Sequence, residues 1–197
     1  MNVMIIPEDF RKDRYTLEPI IKEMMTAVGK QKAKVVVCTD PLLGGIDQAL
    51  RWERIKEIID DYKYKVQLFL LCVDRDGKAE RRARIDYLEK QASSVLNQNQ
   101  RFLGENAWQE IEVWVLAGHE LPNDWSWEAI RQEVNPKEIY FEPFAEQRGV
   151  SNRLGGGRKI LAEEAARRYN RIRQLCLEDV ANLEERISTW IKTEPGE

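Results

Sequence analysis

The chain has 197 residues, of which 33% are charged and 43% hydrophobic, and a formal net charge of −3. That length predicts one domain with a sizeable core, with two small domains as the alternative, and the composition is that of a soluble globular protein. No long apolar run, secretory leader or lipidation motif is visible, so a cytoplasmic protein without membrane contact is expected. The three cysteines, Cys38, Cys72 and Cys176, are far apart in apolar segments and read as buried free thiols in a reducing compartment. His119 is the only histidine, which excludes histidine-cluster metal sites and Ser-His or Cys-His nucleophilic machinery.

Charge is spread unevenly. Residues 105–147 carry 2 basic and 10 acidic side chains, and residues 148–173 carry 8 basic and 2 acidic. Adjacent blocks of opposite sign fit a carboxylate metal site beside a polyanion-binding surface, or two surfaces that neutralise each other within one fold.

In chain order, Val3–Ile6 is a short apolar strand that Pro7 ends, leaving Glu8 at its carboxyl end. Leu17, Ile20, Ile21 and Met24 then recur at helical spacing, and Gly29 closes that helix. Lys34–Cys38 is a second strand. It ends in Thr39-Asp40-Pro41, where Asp40 reads as a turn starter rather than a site carboxylate. The Gly44-Gly45 pair lacks any Walker or dinucleotide pattern and reads as a turn before a helix through Leu50, Ile55, Ile58 and Ile59.

The stretch Val66–Gly77, VQLFLLCVDRDG, organises the rest. Its apolar run reads as a strand buried on both faces, and Asp74 and Asp76 stand at its carboxyl end, where open α/β sheets bind ligands. Two carboxylates on one turn offer hard oxygen ligands suited to magnesium. The alternative is that they cap the following helix. Residues 77–96 carry Ile85, Leu88, Ala92 and Leu96 at helical spacing. The βαβαβα order predicts a parallel sheet with helices on both faces.

A short strand is expected near Arg101–Leu103. In residues 105–118, ENAWQEIEVWVLAG, Ile111, Trp114, Val115 and Gly118 fall on one helical face with Trp108 one turn earlier. Glu112 and Glu110 are then either site carboxylates or a solvated flank of a buried tryptophan stripe. Asn135-Pro136 with Glu138 is a helix start, and Pro143 is expected to break that helix. Gly155-Gly156-Gly157 is a loop opening a long helix to about Leu175, with Glu163–Arg167 and Glu164–Arg168 as i,i+4 pairs. Arg158, Lys159, Arg171 and Arg173 have no such partner. Arg and Lys in a first helical turn oppose the dipole, and a bound phosphate would relieve that cost. Glu178–Ile191 is an amphipathic packing or docking helix.

A glutamate ending the first strand and Asp-x-Asp-Gly ending the third, in this order, resemble the Toprim domain of topoisomerases, primases and ATPase-partnered nucleases. EIEVWVLAG, and the glycine loop before Arg158 and Lys159, are similar to small stand-alone Toprim-like proteins associated with ABC-type ATPases in prokaryotic anti-phage defence. One departure is Asp9, since Toprim domains commonly have glycine directly after the glutamate. The resemblance implies an α/β fold: a Toprim-like Rossmannoid parallel sheet over residues 1–118, with a helical C-terminal extension over 119–197 packed on it. It implies Mg2+ or Mn2+ held by Asp74 and Asp76, Glu8 as a further ligand or general acid/base, and Glu112 as an auxiliary acid. Arg158, Lys159 and Arg171 would bind phosphate. The implied function is metal-dependent hydrolysis of DNA or RNA under the control of an ABC/AAA-type ATPase partner. Two rivals share the pattern: a metal-dependent glycosyltransferase-like enzyme of sugar nucleotides, and a non-catalytic Toprim-like subunit that docks an ATPase.

Overall fold

A computed structural model describes residues 1–193; residues 194–197 of the expected helical extension lie outside the described residues. Among the described residues the sheet has four strands, β1 (Asn2–Pro7), β2 (Lys34–Val37), β3 (Leu68–Asp74) and β4 (Arg101–Ala107). All pairings are parallel, in the order β2-β1-β3-β4. The α/β class and parallel sheet expected from the sequence are therefore present.

The unbroken apolar character of β3 follows from its central place. Leu68, Leu70 and Cys72 face one core with Val3, Ile5 and Leu103. Phe69, Leu71 and Val73 face the other with Met4, Ile6 and Phe102. A strand covered on both faces has no solvent side on which to place polar residues. On the second face lie α3 (Trp52–Tyr62), through Ile55, Ile58 and Ile59, and α4 (Arg81–Ser93), through Ile85, Leu88 and Ala92; the short α2 (Ile46–Ala49) precedes them. On the first face lies α1 (Phe10–Ala27), buried through Leu17, Ile20, Ile21 and Met24.

The C-terminal helices are α5 (Glu112–Ala117), α6 (Trp127–Gln132), α7 (Glu142–Gln147), α8 (Arg158–Ala166), α9 (Tyr169–Leu175) and α10 (Asn182–Thr193). Trp114, Ile130, Phe141, Phe144, Leu161, Ile172, Leu183 and Ile187 belong to the same core as α1 and β1. Residues 119–193 thus complete the first face of the sheet and share its core. Arg186 of α10 pins that helix to the sheet edge: it donates to the Gly104 carbonyl at 3.0 Å and reaches Glu89 at 2.6 Å. No helix of the described residues is long and apolar enough to cross a membrane.

Three local expectations are corrected. Residues 105–118 are not one helix: β4 runs to Ala107, a loop follows, and α5 begins only at Glu112. Strand pairing with β3 continues to Asp74↔Ala107, and Gln109 takes φ 74, which no helix accommodates; tertiary pairing overrides the 3.6-residue pattern. Pro143 does not end its helix. A π-helical turn, Lys137–Phe141, leads directly into α7, so the helical path continues through Pro143, with i→i−5 bonding in the turn that precedes it. The long helix to Leu175 is interrupted, because α8 stops at Ala166 and α9 restarts at Tyr169. Arg167 and Arg168 therefore lose helical register with Glu163 and Glu164. Arg168 pairs with Glu120 at 3.1 Å and Glu164 with Arg148 at 2.8 Å instead.

Gly118 closes α5 where it crosses α8. A Cβ there would sit 2.6 Å from the Ala165 Cα and 2.8 Å from its carbonyl oxygen, and backbone cannot move aside as a side chain can. Gly118→Ala is expected to cost about 1–3 kcal/mol, read as a lower urea midpoint with an unchanged m-value; an unaltered midpoint would remove the crossing contact from the account of this core.

Candidate metal centre

The chain leaves β1 for β2 on one side and returns to β3 on the other, so the carboxyl ends of β1 and β3 flank a topological switch point. Glu8 follows β1 and Asp74 ends β3, with Pro7 opposite Cys72 in the register. Asp9, in the place where the resemblance expects glycine, has φ −127, an ordinary extended conformation, and N-caps α1 by accepting the Arg11 N–H. Asp13 reaches back to accept the Asp9 N–H at 2.8 Å. This reciprocal cap turns Asp13 toward the acids at the strand ends.

The loop after β3 turns through two left-handed residues, Asp76 (φ 45) and Gly77 (φ 68). It is held by Gln109 from the loop after β4. The Gln109 carbonyl accepts the Arg75 and Asp76 N–H groups at 2.7 and 3.0 Å, and its side-chain oxygen accepts the Gly77 N–H at 2.8 Å. Asp74 Oδ1 in turn accepts the Ile111 N–H at 2.9 Å. A left-handed non-glycine residue costs conformational energy; at Gln109 it is offset by three hydrogen bonds that join the two loops. Asp179, buried between α9 and α10, anchors the β4 loop from behind. Its Oδ2 accepts the Trp108 N–H and the Trp114 indole N–H, each at 2.8 Å, and Arg131 neutralises it at 3.2 Å.

These loops bring oxygen atoms of Asp74, Asp76 and Glu110 within 4.8 Å of one another. Oxygens in an octahedral magnesium shell at about 2.1 Å sit roughly 3–4 Å apart, so the three fit a small hard cation. Glu8 Oε2 is buried beside them with no hydrogen-bond partner, a further donor without protein satisfaction. Electrostatics agree. Burial, then the charge of Asp76, raises the Glu8 pKa, against the Arg81 charge and the amides of Ile46 and Asp74. Burial, then Glu112 and Asp13, raises Asp74 well above the usual carboxylate range. Burial pushes both Asp13 and Glu110 up to about 7. Around them stand three fixed cations. Arg81 binds Asp76 at 2.8 Å and donates to the Asp74 carbonyl. Lys137 donates its backbone N–H to Glu110 Oε2 at 2.8 Å and holds its ammonium 3.9 Å from Oε1. Arg158 pairs with Glu112. Six acidic side chains face these three cations, and the Lys137 ammonium lies closer to Glu138, at 2.6 Å, than to Glu110.

Glu8, Asp74 and Asp76 do converge on one edge, but Glu110, rather than Glu8, completes the group at ligand spacing. Glu112 is buried, and its pairing with Arg158 sets it apart from that group. Arg158 corrects the phosphate expectation: it is 5% exposed, bound to Glu112 and the Gly155 carbonyl, and this ion pair, not a bound anion, offsets its place in a first helical turn. Arg171 caps the carbonyl of Ala117 at 3.1 Å. Lys159 lines the groove between α1 and α8 with Arg14, Tyr15 and Lys22. Two pairs join the acidic and basic blocks, the buried Arg158–Glu112 and the exposed Arg168–Glu120. Asp40 lies in a turn, its carbonyl accepting the Tyr62 hydroxyl, and His119 is buried against the Leu161 carbonyl. The sequence reading missed Asp13, Arg81, Gln109 and Lys137. Asp13 had a legible signal, an acid four residues after a helix N-cap at a strand end; Gln109 and Lys137 had none. Comparison of the chain with protein-family models, curated proteins and solved structures found no match.

Asp13 and Glu110 have folded-state pKa values near 7, above their ordinary 3.8 and 4.5. The folded chain therefore binds more protons than the unfolded one between those limits, and stability falls as pH rises from about 4.5 to about 7. The metal-free protein is expected to melt at a higher temperature at pH 5.5 than at pH 8. Mn2+ should narrow the gap, because it favours the ionised carboxylates, and Glu110→Gln should also narrow it. Melting curves across this pH range check the sign; a melting temperature that rises toward pH 8 without metal would contradict the charge assignment.

Proposed function

We propose that the protein is a metal-dependent nuclease, hydrolysing phosphodiester bonds of DNA or RNA with Mg2+ or Mn2+. The observation that carries this reading is the convergence of Asp74, Asp76 and Glu110 at the switch point of a parallel sheet, with the unpartnered oxygen of Glu8 beside them. Asp74, Asp76 and Glu110 would hold the ion, which when bound polarises a phosphoryl oxygen and lowers the pKa of water. The protein's own contribution is positional and protonic. Gln109 and Ile111 fix the two loops so that the ligands are set before substrate arrives. Arg81 orients Asp76. Glu8, raised by burial and Asp76, is suited to take a proton from the attacking water or return one to the leaving oxygen. Control by an ABC/AAA-type ATPase in an anti-phage setting rests on the Toprim resemblance.

The test is cleavage of plasmid, single-stranded DNA and tRNA with Mg2+ or Mn2+, with and without a candidate ATPase. Loss of a ligand removes several kcal/mol of charge stabilisation, so Asp74→Ala and Glu110→Gln are each expected to reduce cleavage on the order of 100-fold or more. Glu8→Gln should reduce turnover while leaving Mn2+ binding in place. Metal binding with no cleavage of any substrate would set the nuclease reading aside.

A further inference from the structure

We infer that the groove between α1 and the α8–α9 segment holds the sugar–phosphate backbone of the nucleic acid and leads the strand to the acidic edge of the sheet. The inference rests on the nuclease reading above and adds the path that the substrate takes.

Two hollows, each about 520 Å³ and so within the size range of ligand clefts, meet at Glu23, Ala166 and Arg167 to form one groove. It runs from Arg14 and Lys159 at one end to Ala27 and Gln174 at the other. Along α1 that is about 20 Å at roughly 1.5 Å per residue, enough to follow several phosphates of a strand. The Arg14 end adjoins the acids. Asp13, which belongs to that acidic group, directly precedes Arg14 in the early turns of α1. Tyr15, on the groove wall, packs on the glycine loop: a Cβ on Gly155 would lie 2.7 Å from its ring. The same loop carries Arg158 to Glu112.

The walls have the opposite charge to the chain, whose net charge is −3. They carry Arg14, Lys22, Lys159, Arg167, Arg168 and Arg171 against Glu18, Glu23 and Glu163. Lys22 is taken by Glu18 at 2.7 Å, and Arg168 by Glu120 at 3.1 Å. Arg171 gives one donor to the Ala117 carbonyl and keeps its charge. Among the described residues Arg14, Lys159 and Arg167 pair with no acid, and all three are exposed. That leaves four uncompensated cations against Glu23 and Glu163. Lys159 stands in the first turn of α8, where the helix dipole opposes a cation. Arg158 has Glu112 to offset that cost; for Lys159 a phosphate in the groove would supply the missing anion. The aromatic residues of the groove are Tyr15, with Arg14 5.3 Å over its ring, and the buried Tyr169. Bases find no free stacking platform, so recognition falls on the backbone and carries little sequence preference.

The experiment follows a labelled single-stranded oligonucleotide by fluorescence anisotropy as it binds the full chain across a salt series, with Ca2+ in place of Mn2+ so that binding is read without turnover. Each phosphate contact on a single strand contributes about 0.7 to the slope of log K against log salt. Arg14→Gln, Lys159→Gln and Arg167→Gln in one chain are therefore expected to flatten the slope by about 2 and to weaken binding about tenfold or more at low salt. Melting temperature and Mn2+ affinity should stay as they are. Lys30→Gln, Lys32→Gln and Lys34→Gln remove the same charge at the amino edge of the sheet and should leave both slope and affinity in place. Equal losses in the two triple variants, or an unchanged slope in the first, would overturn the groove. So would a wild-type chain that binds no oligonucleotide, or one from which polyglutamate displaces the strand as readily as unlabelled oligonucleotide does. Cleavage judges the nuclease reading separately. Cutting that survives undiminished in the groove variant would keep that reading and overturn the groove; groove-dependent binding with no cutting of any substrate would keep the groove and set the nuclease aside.

Discussion

Burial of carboxylates at the end of the sheet, with their mutual repulsion added to it, is the constraint that the surrounding structure answers. Glu8, Asp13, Asp74 and Glu110 all have raised pKa values, with burial as the leading cause. Water would screen these charges if the loops opened. They stay together because backbone amides and one strained residue leave the loops little freedom. Gln109 ties the β3 loop through three hydrogen bonds, and the Ile111 amide ties Asp74 to the β4 loop. A divalent ion held as proposed would offset part of the cost of that burial.

Buried ion pairs extend the restraint into the C-terminal helices. Asp179 with Arg131 fixes Trp108 and Trp114, so the β4 loop cannot drift from α5. Arg75 and Arg131 both lie over the Trp108 ring, at 3.9 and 5.5 Å. Arg158 with Glu112 joins α8 to α5 next to the site. Pairs of this kind add little to net stability, since desolvation offsets much of the attraction, but losing one partner strands the other. Their effect here is geometric. They make the helices after residue 118 part of the site's support, through a core continuous with that of the sheet.

Much of the fold was legible because burial and periodicity are local properties. The apolar run of β3 marked a central strand, the strand–helix alternation marked a parallel sheet, and residues at strand ends marked the acidic edge. Glu8, Asp74 and Asp76 were legible for that reason. Residues 105–118 misled because their apolar spacing suits a helix, whereas the ladder with β3 claims residues up to Ala107. Arg158 misled for a related reason: its nearest sequence neighbours offer no partner, and the one it has lies 46 residues away.

The sequence by itself determined that this is an α/β chain with a parallel sheet and acidic groups at its carboxyl edge, because side-chain period and strand-end position are encoded within a few residues of each other. Only the tertiary structure decided which acids share a cation-sized space. Glu110 and Glu112 are two residues apart and equally acidic on paper. A left-handed turn at Gln109 and a hydrogen bond from the Lys137 amide place Glu110 against Asp74 and Asp76, while α8 presents Arg158 to Glu112. That division depends on contacts between distant segments, and local sequence carries no record of which segments will meet.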